Sequence, residues 1–176
     1  MSLETGMTMK TYFAPEDDTT QVFVDFLKTA KQSIHVAIFA FHLPAAMDIL
    51  LQKKKDGLDV QMVIDHREAH GTYEHPEVVK LRAAGIPVIE GTSQKDEIMH
   101  HKFAVVDGES VLAGSWNFSE TASKEDNYFD IVTNKARAQL FLKHWHNINQ
   151  FMRTHDQHDN PQLQKEADSN ATHQKG

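Results

Sequence analysis

A chain of 176 residues, 40% hydrophobic and 24% charged, suits one soluble globular domain with a single core. It has no cysteine, which excludes disulfides, thiol nucleophiles and cysteine-ligated zinc, and no apolar run reaches the length of a membrane span. The net charge of −7, with 12 histidines neutral, argues against broad polyanion binding, leaves room for a local positive site, and makes the charge sensitive to pH near neutrality.

Residues 1–9 lack the basic flank, apolar centre and small-residue cleavage site of a secretory signal and read as a flexible leader. The expectation is a cytoplasmic protein, with a signal segment outside this sequence as the alternative. Lys10 to Ala14 reads as a short first strand. Asp17, Asp18 and Thr19 then offer helix caps, and Val22, Phe23, Phe26, Leu27 and Ala30 recur at helical spacing. Ser33 to Phe41 is apolar and β-branched, as a central strand should be. Pro44 suits the first turn of a second helix carrying Met47, Ile49, Leu50 and Leu51, which Asp56-Gly57 closes.

Val60 to Ile64 reads as a buried strand, Pro76 to Ala84 as a third helix ended by Gly85, and Ile86 to Ile89 as a short strand. Phe103 to Val106 and Val111 to Ala113 flank the turn dipeptide Asp107-Gly108 and predict a hairpin. Tyr128 to Val132 is a further strand, and Ala136 to Phe151 a last amphipathic helix. Residues 153–176 are polar and predict a disordered tail, which leaves 10–152 as the folded domain. The fold class is α/β, a mixed central sheet with helices on both faces.

The stretch from His100 to Asn117 carries the chemistry. His100 and Lys102 are two apart and share a strand face, as do Ser115 and Asn117. A two- or four-residue turn at Asp107-Gly108 puts all four on one face, whereas a three-residue turn splits them. Histidine is a nucleophile or proton carrier near neutral pH, and lysine and asparagine donate to phosphate oxygens. No carboxylate cluster accompanies them in this stretch, as a magnesium-dependent phosphotransfer site would require.

His100, Lys102, Asp107, Gly114, Ser115 and Asn117 stand at the spacing of the phospholipase D signature, and residues 10 to 152 resemble that superfamily in strand and helix order. With one copy of the motif, the chain most resembles the superfamily's small bacterial endonucleases. The resemblance implies His100 as nucleophile, forming a phosphohistidine that water later hydrolyses. It implies Lys102 and Asn117 as phosphate ligands and Ser115 as a hydrogen bonder to the phosphate or to His100. Gly114 would allow close backbone approach. Asp107 counts among the motif's site residues, although its place at the turn reads as structural. An acidic residue after the asparagine orients the nucleophile in many members; of Glu125 and Asp126, Asp126 is assigned that role here.

His42 and His66-Arg67 follow predicted strands at the ends where α/β sites form, so His42 and Arg67 are candidate substrate-groove residues. His101 points to the opposite face, and Trp116 and Phe118 are read as core. In-line displacement needs one group attacking and another protonating the leaving oxygen, and only one His-x-Lys motif is present. A symmetric homodimer sharing one site is the expectation. No metal and no cofactor is expected. The leading function is a metal-independent nuclease acting on DNA or RNA, without stable membrane association. The alternatives are a phospholipid phosphodiesterase or phosphatidyl transferase, and a non-catalytic nucleic-acid-binding dimer.

Overall fold

The computed structural model describes residues 6–155. Most of the expected leader and tail lies outside the described residues. Strand β1 runs Thr8–Ala14, two residues earlier than expected, so Thr8 and Met9 belong to the sheet and not to a leader. Helix α1 (Thr19–Lys28) is capped by Asp18, whose side chain accepts from the Gln21 amide. The order continues β2 (Ser33–Ile38), β3 (Phe41–His42), α2 (Pro44–Lys55), β4 (Asp59–Asp65), α3 (His66–Ala69), α4 (Glu74–Ala83) and β5 (Val88–Gly91). It ends with β6 (Lys102–Val106), β7 (Ser110–Gly114), β8 (Phe118–Ser119), a 3-10 turn at Ala122–Lys124, β9 (Asn127–Thr133) and α5 (Lys135–His155).

Seven strands form one mixed sheet in the order β1-β9-β7-β6-β2-β4-β5. The β2, β4 and β5 strands are parallel, and the remaining pairs of this sheet are antiparallel. The alternation along β2 explains the two-sided covering. Ile34, Val36 and Ile38 pack with Phe23, Phe26 and Leu27 of α1, Leu50 of α2 and Leu81 of α4. Ala37 faces the other way, into a second core with Phe103, Val105, Ala138, Trp145 and Met152. Trp145 of α5 satisfies its buried N–H on Val36 O at 2.7 Å. Trp116 and Phe118 lie in the first core, as expected.

The single strand expected over Ser33 to Phe41 is two. The main ladder ends at Ile38, and Phe41–His42 pairs separately with Phe118–Ser119 in a small parallel sheet. The break lets the chain turn across the end of the sheet. At that end lie the carboxyl termini of β1, β2, β4, β5 and β7 and the amino termini of β6 and β9.

The hairpin register corrects the sequence expectation. Asp107 and Gly108 both have positive φ, and the Glu109 N–H donates to Val106 O at 3.0 Å, as in a two-residue turn. The ladder then resumes with Val106 opposite Ser110, so Glu109 is an extra residue and the connection is three residues long. Lys102 therefore shares a face with Leu112 and not with Ala113. A ladder carried on from β7 would place Ser115 and Asn117 opposite to Lys102. Strand β7 instead stops at Gly114, and the amides of Ser115 and Trp116 both donate to Tyr128 O, at 2.9 and 3.4 Å. The chain is redirected there, and the shared face expected from an even turn does not form.

Gly114 makes this possible. A Cβ at this position would collide with Tyr128 O and Phe129 Cα, backbone atoms that cannot swing aside. Gly114→Ala is expected to destabilise the fold by about 1–3 kcal/mol through overpacking. Urea denaturation measures this, and an unchanged midpoint would contradict the close approach.

Candidate active site

His100 is the second-last residue before β6, exposed at the sheet end, and Lys102 is the first residue of that strand. The Lys102 side chain is almost enclosed, with 7% of the residue exposed. Its Nζ donates to His100 O at 3.0 Å and lies 5.1 Å from the centre of the Phe39 ring. Phe39 also packs edge-on against the His100 ring, centroids 4.7 Å apart, and its amide donates to His101 O at 2.8 Å. Phe39 thus positions both motif residues. The sequence reading placed it inside a central strand and missed this role.

Burial pushes the Lys102 ammonium down to about 8, with Glu68 opposing the shift. Desolvation also lowers His100, reinforced by Lys102 and opposed by Asp65. The shift favours the neutral imidazole, the form whose ring nitrogen can attack.

Asp65 and Glu68 are further residues that sequence reasoning missed. Asp65, at the end of β4, is buried and accepts from the amides of Arg67, Glu68 and Met99. It caps α3 and ties down the residue immediately before His100. Glu68 acts electrostatically on Lys102, and burial raises its own carboxyl, with Glu74 and Asp65 adding to the shift. The carboxylates absent from the motif are supplied by another strand and a four-residue helix. The Asp immediately after the β4 apolar run was the available signal, because Asp is a favoured helix cap.

Asp107 does not belong to this group. It lies at the far end of β6, where its carboxylate accepts from the backbone amides of Lys31, Gln32 and Ser33 at 2.8–3.2 Å. This is the structural role that its place at the turn suggested, and it corrects the inclusion of Asp107 among catalytic residues.

Asn117 immediately precedes β8, whose Phe118 pairs with Phe41. Asn117 and His100 thus flank the same Phe39–Phe41 crossing. The Asn117 Oδ1 is buried without a hydrogen-bond partner. Ser115 does not bond His100: its hydroxyl donates to Asn127 Oδ1 at 3.0 Å and accepts from the Tyr128 amide at 3.1 Å. Exposed Asp126 lines an open cleft with Ser115, Phe13 and Tyr128. His100 lines a different cavity of about 250 Å³ with Ile98, Met99, His144, Ile148 and Phe151. Within one protomer, therefore, the Ser115–Asp126 cleft and the His100 cavity are separate.

Arg67 is exposed on α3 at the same sheet end. His42 lies 3.4 Å from Glu77 Oε1 and beside the Tyr73 ring. His101 turns to the α5 face, with its Nε2 3.0 Å from His144 Nε2, as expected.

The profile described as "Cardiolipin synthase, PLD-like domain" matches residues 23–158. The chain belongs to the phospholipase D superfamily. A mitochondrial cardiolipin hydrolase from Xenopus tropicalis is 34% identical over 126 residues, 68% of this chain and 57% of that protein. A phospholipase D from Rickettsia bellii is 25% identical over 138 residues, 78% and 67% of the two chains. The cardiolipin hydrolases of Chlamydomonas reinhardtii and Xenopus tropicalis are matched over about half their length, 45% and 57%. The phospholipase D family member NUC from Salmonella typhimurium superposes with a TM-score of 0.75 at 29% identity, covering 80% of this chain and 93% of that one. NucT from Helicobacter pylori shares the fold, with a TM-score of 0.74 at 17% identity.

If an anion binds at this end of the sheet, the Lys102 charge is its titrating handle. Sulfate stays a dianion across this range, so its affinity should fall as pH rises through about 8 and Lys102 loses its proton. Losing a charge-assisted bond of roughly 1.5–3 kcal/mol corresponds to about 10–100-fold in affinity. Calorimetric titration of the wild type and Lys102→Met measures this. A flat wild-type profile would contradict the assignment.

Proposed function

We propose that the protein is a phosphodiesterase that hydrolyses DNA or RNA without a metal ion, as a homodimer in which two copies of His100 share one centre. The observation carrying this reading is the pairing of an exposed, lowered-pKa His100 with an enclosed Lys102 at the open end of the sheet. A ring nitrogen of one His100 attacks phosphorus, and the bond to the leaving oxygen breaks. The second protomer's His100 gives that oxygen its proton. Water then attacks the phosphohistidine and gives a proton back to the second imidazole, so both histidines return to their starting state. Lys102 and Asn117 of each protomer hold the non-bridging oxygens. The mechanism uses neither Ser115 nor Asp126, which line a separate cleft within the protomer.

Nucleic acid is favoured by the near-complete coverage of the NUC chain at 29% identity. The second reading, a phospholipid phosphodiesterase, is favoured by the relatives named cardiolipin hydrolase at up to 34% identity. Among the described residues no helix is long and apolar enough to cross a membrane. A cytoplasmic location belongs to the first reading, and the cardiolipin hydrolase relatives carry a mitochondrial name.

Labelled single- and double-stranded DNA and RNA, and phospholipid vesicles, should be offered to the protein in EDTA. Cleavage of an oligonucleotide is expected, reduced on the order of 10³-fold or more in His100→Ala. Strict dependence on magnesium would contradict the mechanism. Cleavage of lipid alone would replace the first reading with the second.

A further inference from the structure

A second group of ligating side chains lies under the α3–α4 corner. His66 opens α3 and His70 follows it by four residues, so both imidazoles lie on one side of that turn. Glu90 stands on β5 with 1% of its surface exposed. His70 Nε2 is 3.1 Å and His66 Nδ1 is 4.0 Å from the same oxygen, Glu90 Oε1. One ligand atom from each of the three residues lies within 4.8 Å of the others. Four-coordinate zinc, with bonds of about 2.0–2.2 Å, spaces its ligands by about 3.3 Å. The three atoms need only a small contraction, and the partly exposed imidazoles are free to supply it.

The surroundings orient the carboxylate. Arg82 from α4 donates to Val88 O through Nε and Nη2, at 3.0 and 2.7 Å, and places Nη2 3.6 Å from Glu90 Oε2. The guanidinium faces one carboxylate oxygen, and the other faces the two imidazoles. Outer-shell partners of ligating carboxylates act in this way, although the Arg82 charge also weakens the attraction for a cation. His75 stacks on His70 at a centroid distance of 5.8 Å and turns its Nδ1 to Ala69 O, which steadies the His70 ring.

We infer that His66, His70 and Glu90 form a structural site for a zinc-class divalent cation, with water completing the coordination. Two imidazoles and one carboxylate select zinc, cobalt, nickel or copper over magnesium and calcium. The cation ties α3 to β5. Helix α3 starts from Asp65, whose carboxylate also holds the Met99 amide beside His100, so the ion steadies the reactive end of the sheet without touching phosphorus. The inference holds whether the substrate is nucleic acid or lipid.

The test uses the full chain, stripped with EDTA and dialysed, then titrated with Zn²⁺ by calorimetry and with Co²⁺ by visible absorption, and heated with and without Zn²⁺. One equivalent should bind, raise Tm, and give cobalt the visible absorption of a nitrogen- and oxygen-ligated site. His66→Ala/His70→Ala changes partly exposed residues, and its far-ultraviolet dichroism should match the metal-free wild type. It should bind that equivalent at least about 100-fold more weakly and lose the Tm response. His101→Ala/His144→Ala, which removes the other close imidazole pair, should retain both. No Zn²⁺ binding by the wild type, or unaltered binding by the His66/His70 variant, would overturn the inference. Neither result bears on cleavage in EDTA, so the two proposals fail separately.

Discussion

The carboxylate of Asp65 holds the reactive end of the molecule together. A buried carboxylate is costly unless its charge is met, and here three backbone amides meet it. Two come from the first turn of α3, and the third belongs to Met99, far along the chain but adjacent to His100. One side chain therefore fixes both where the chain leaves β4 and where it arrives before β6. Its charge also opposes the lowering of the His100 pKa by desolvation and Lys102. Position and protonation of His100 thus depend on a residue outside the signature.

Lys102 shows the complementary constraint. Its stem is enclosed among the sheet-end residues, its head reaches His100 O and the Phe39 face, and desolvation brings its titration close to neutrality. The enclosure disfavours the charged form, so the protein carries this lysine at a cost to stability at neutral pH. The sign follows from linkage: the folded state binds the proton less readily than the unfolded chain, so stability from this group rises as pH passes above about 8. A phosphate docked against the ammonium would offset the penalty, which would give an energetic reason for an otherwise unfavourable buried lysine.

The sequence made the layers and the reactive pair legible for simple physical reasons. Runs such as Ile34 to Ile38 and Val60 to Ile64 are buried on both faces and must be central strands. Pro44, Gly57 and Gly85 stand at helix boundaries where their backbone preferences belong. His100 and Lys102 were readable because their spacing is local. The hairpin register was not, because Asp107-Gly108 specifies a tight turn without revealing that Glu109 is inserted after it. Helix α3 was invisible because four residues carry no periodicity. The break of the second strand at Ile38 depends on pairing between Phe41 and Phe118, 77 residues apart, which no local pattern encodes. Asp65 and Glu68 were missed for the same reason: their meeting with the motif is a tertiary event.

The shared centre is the claim on which the mechanism rests, and mixed dimers test it most directly. Wild-type and His100→Ala chains, differently tagged, are unfolded and refolded together at equal amounts, and the mixed dimer is isolated. If one centre needs both imidazoles, the mixed dimer is inactive and the unfractionated mixture retains about a quarter of wild-type activity, the share of doubly wild-type pairs. A mixed dimer with half the wild-type activity, and a mixture that retains about half, would show that each protomer acts alone and would contradict the account.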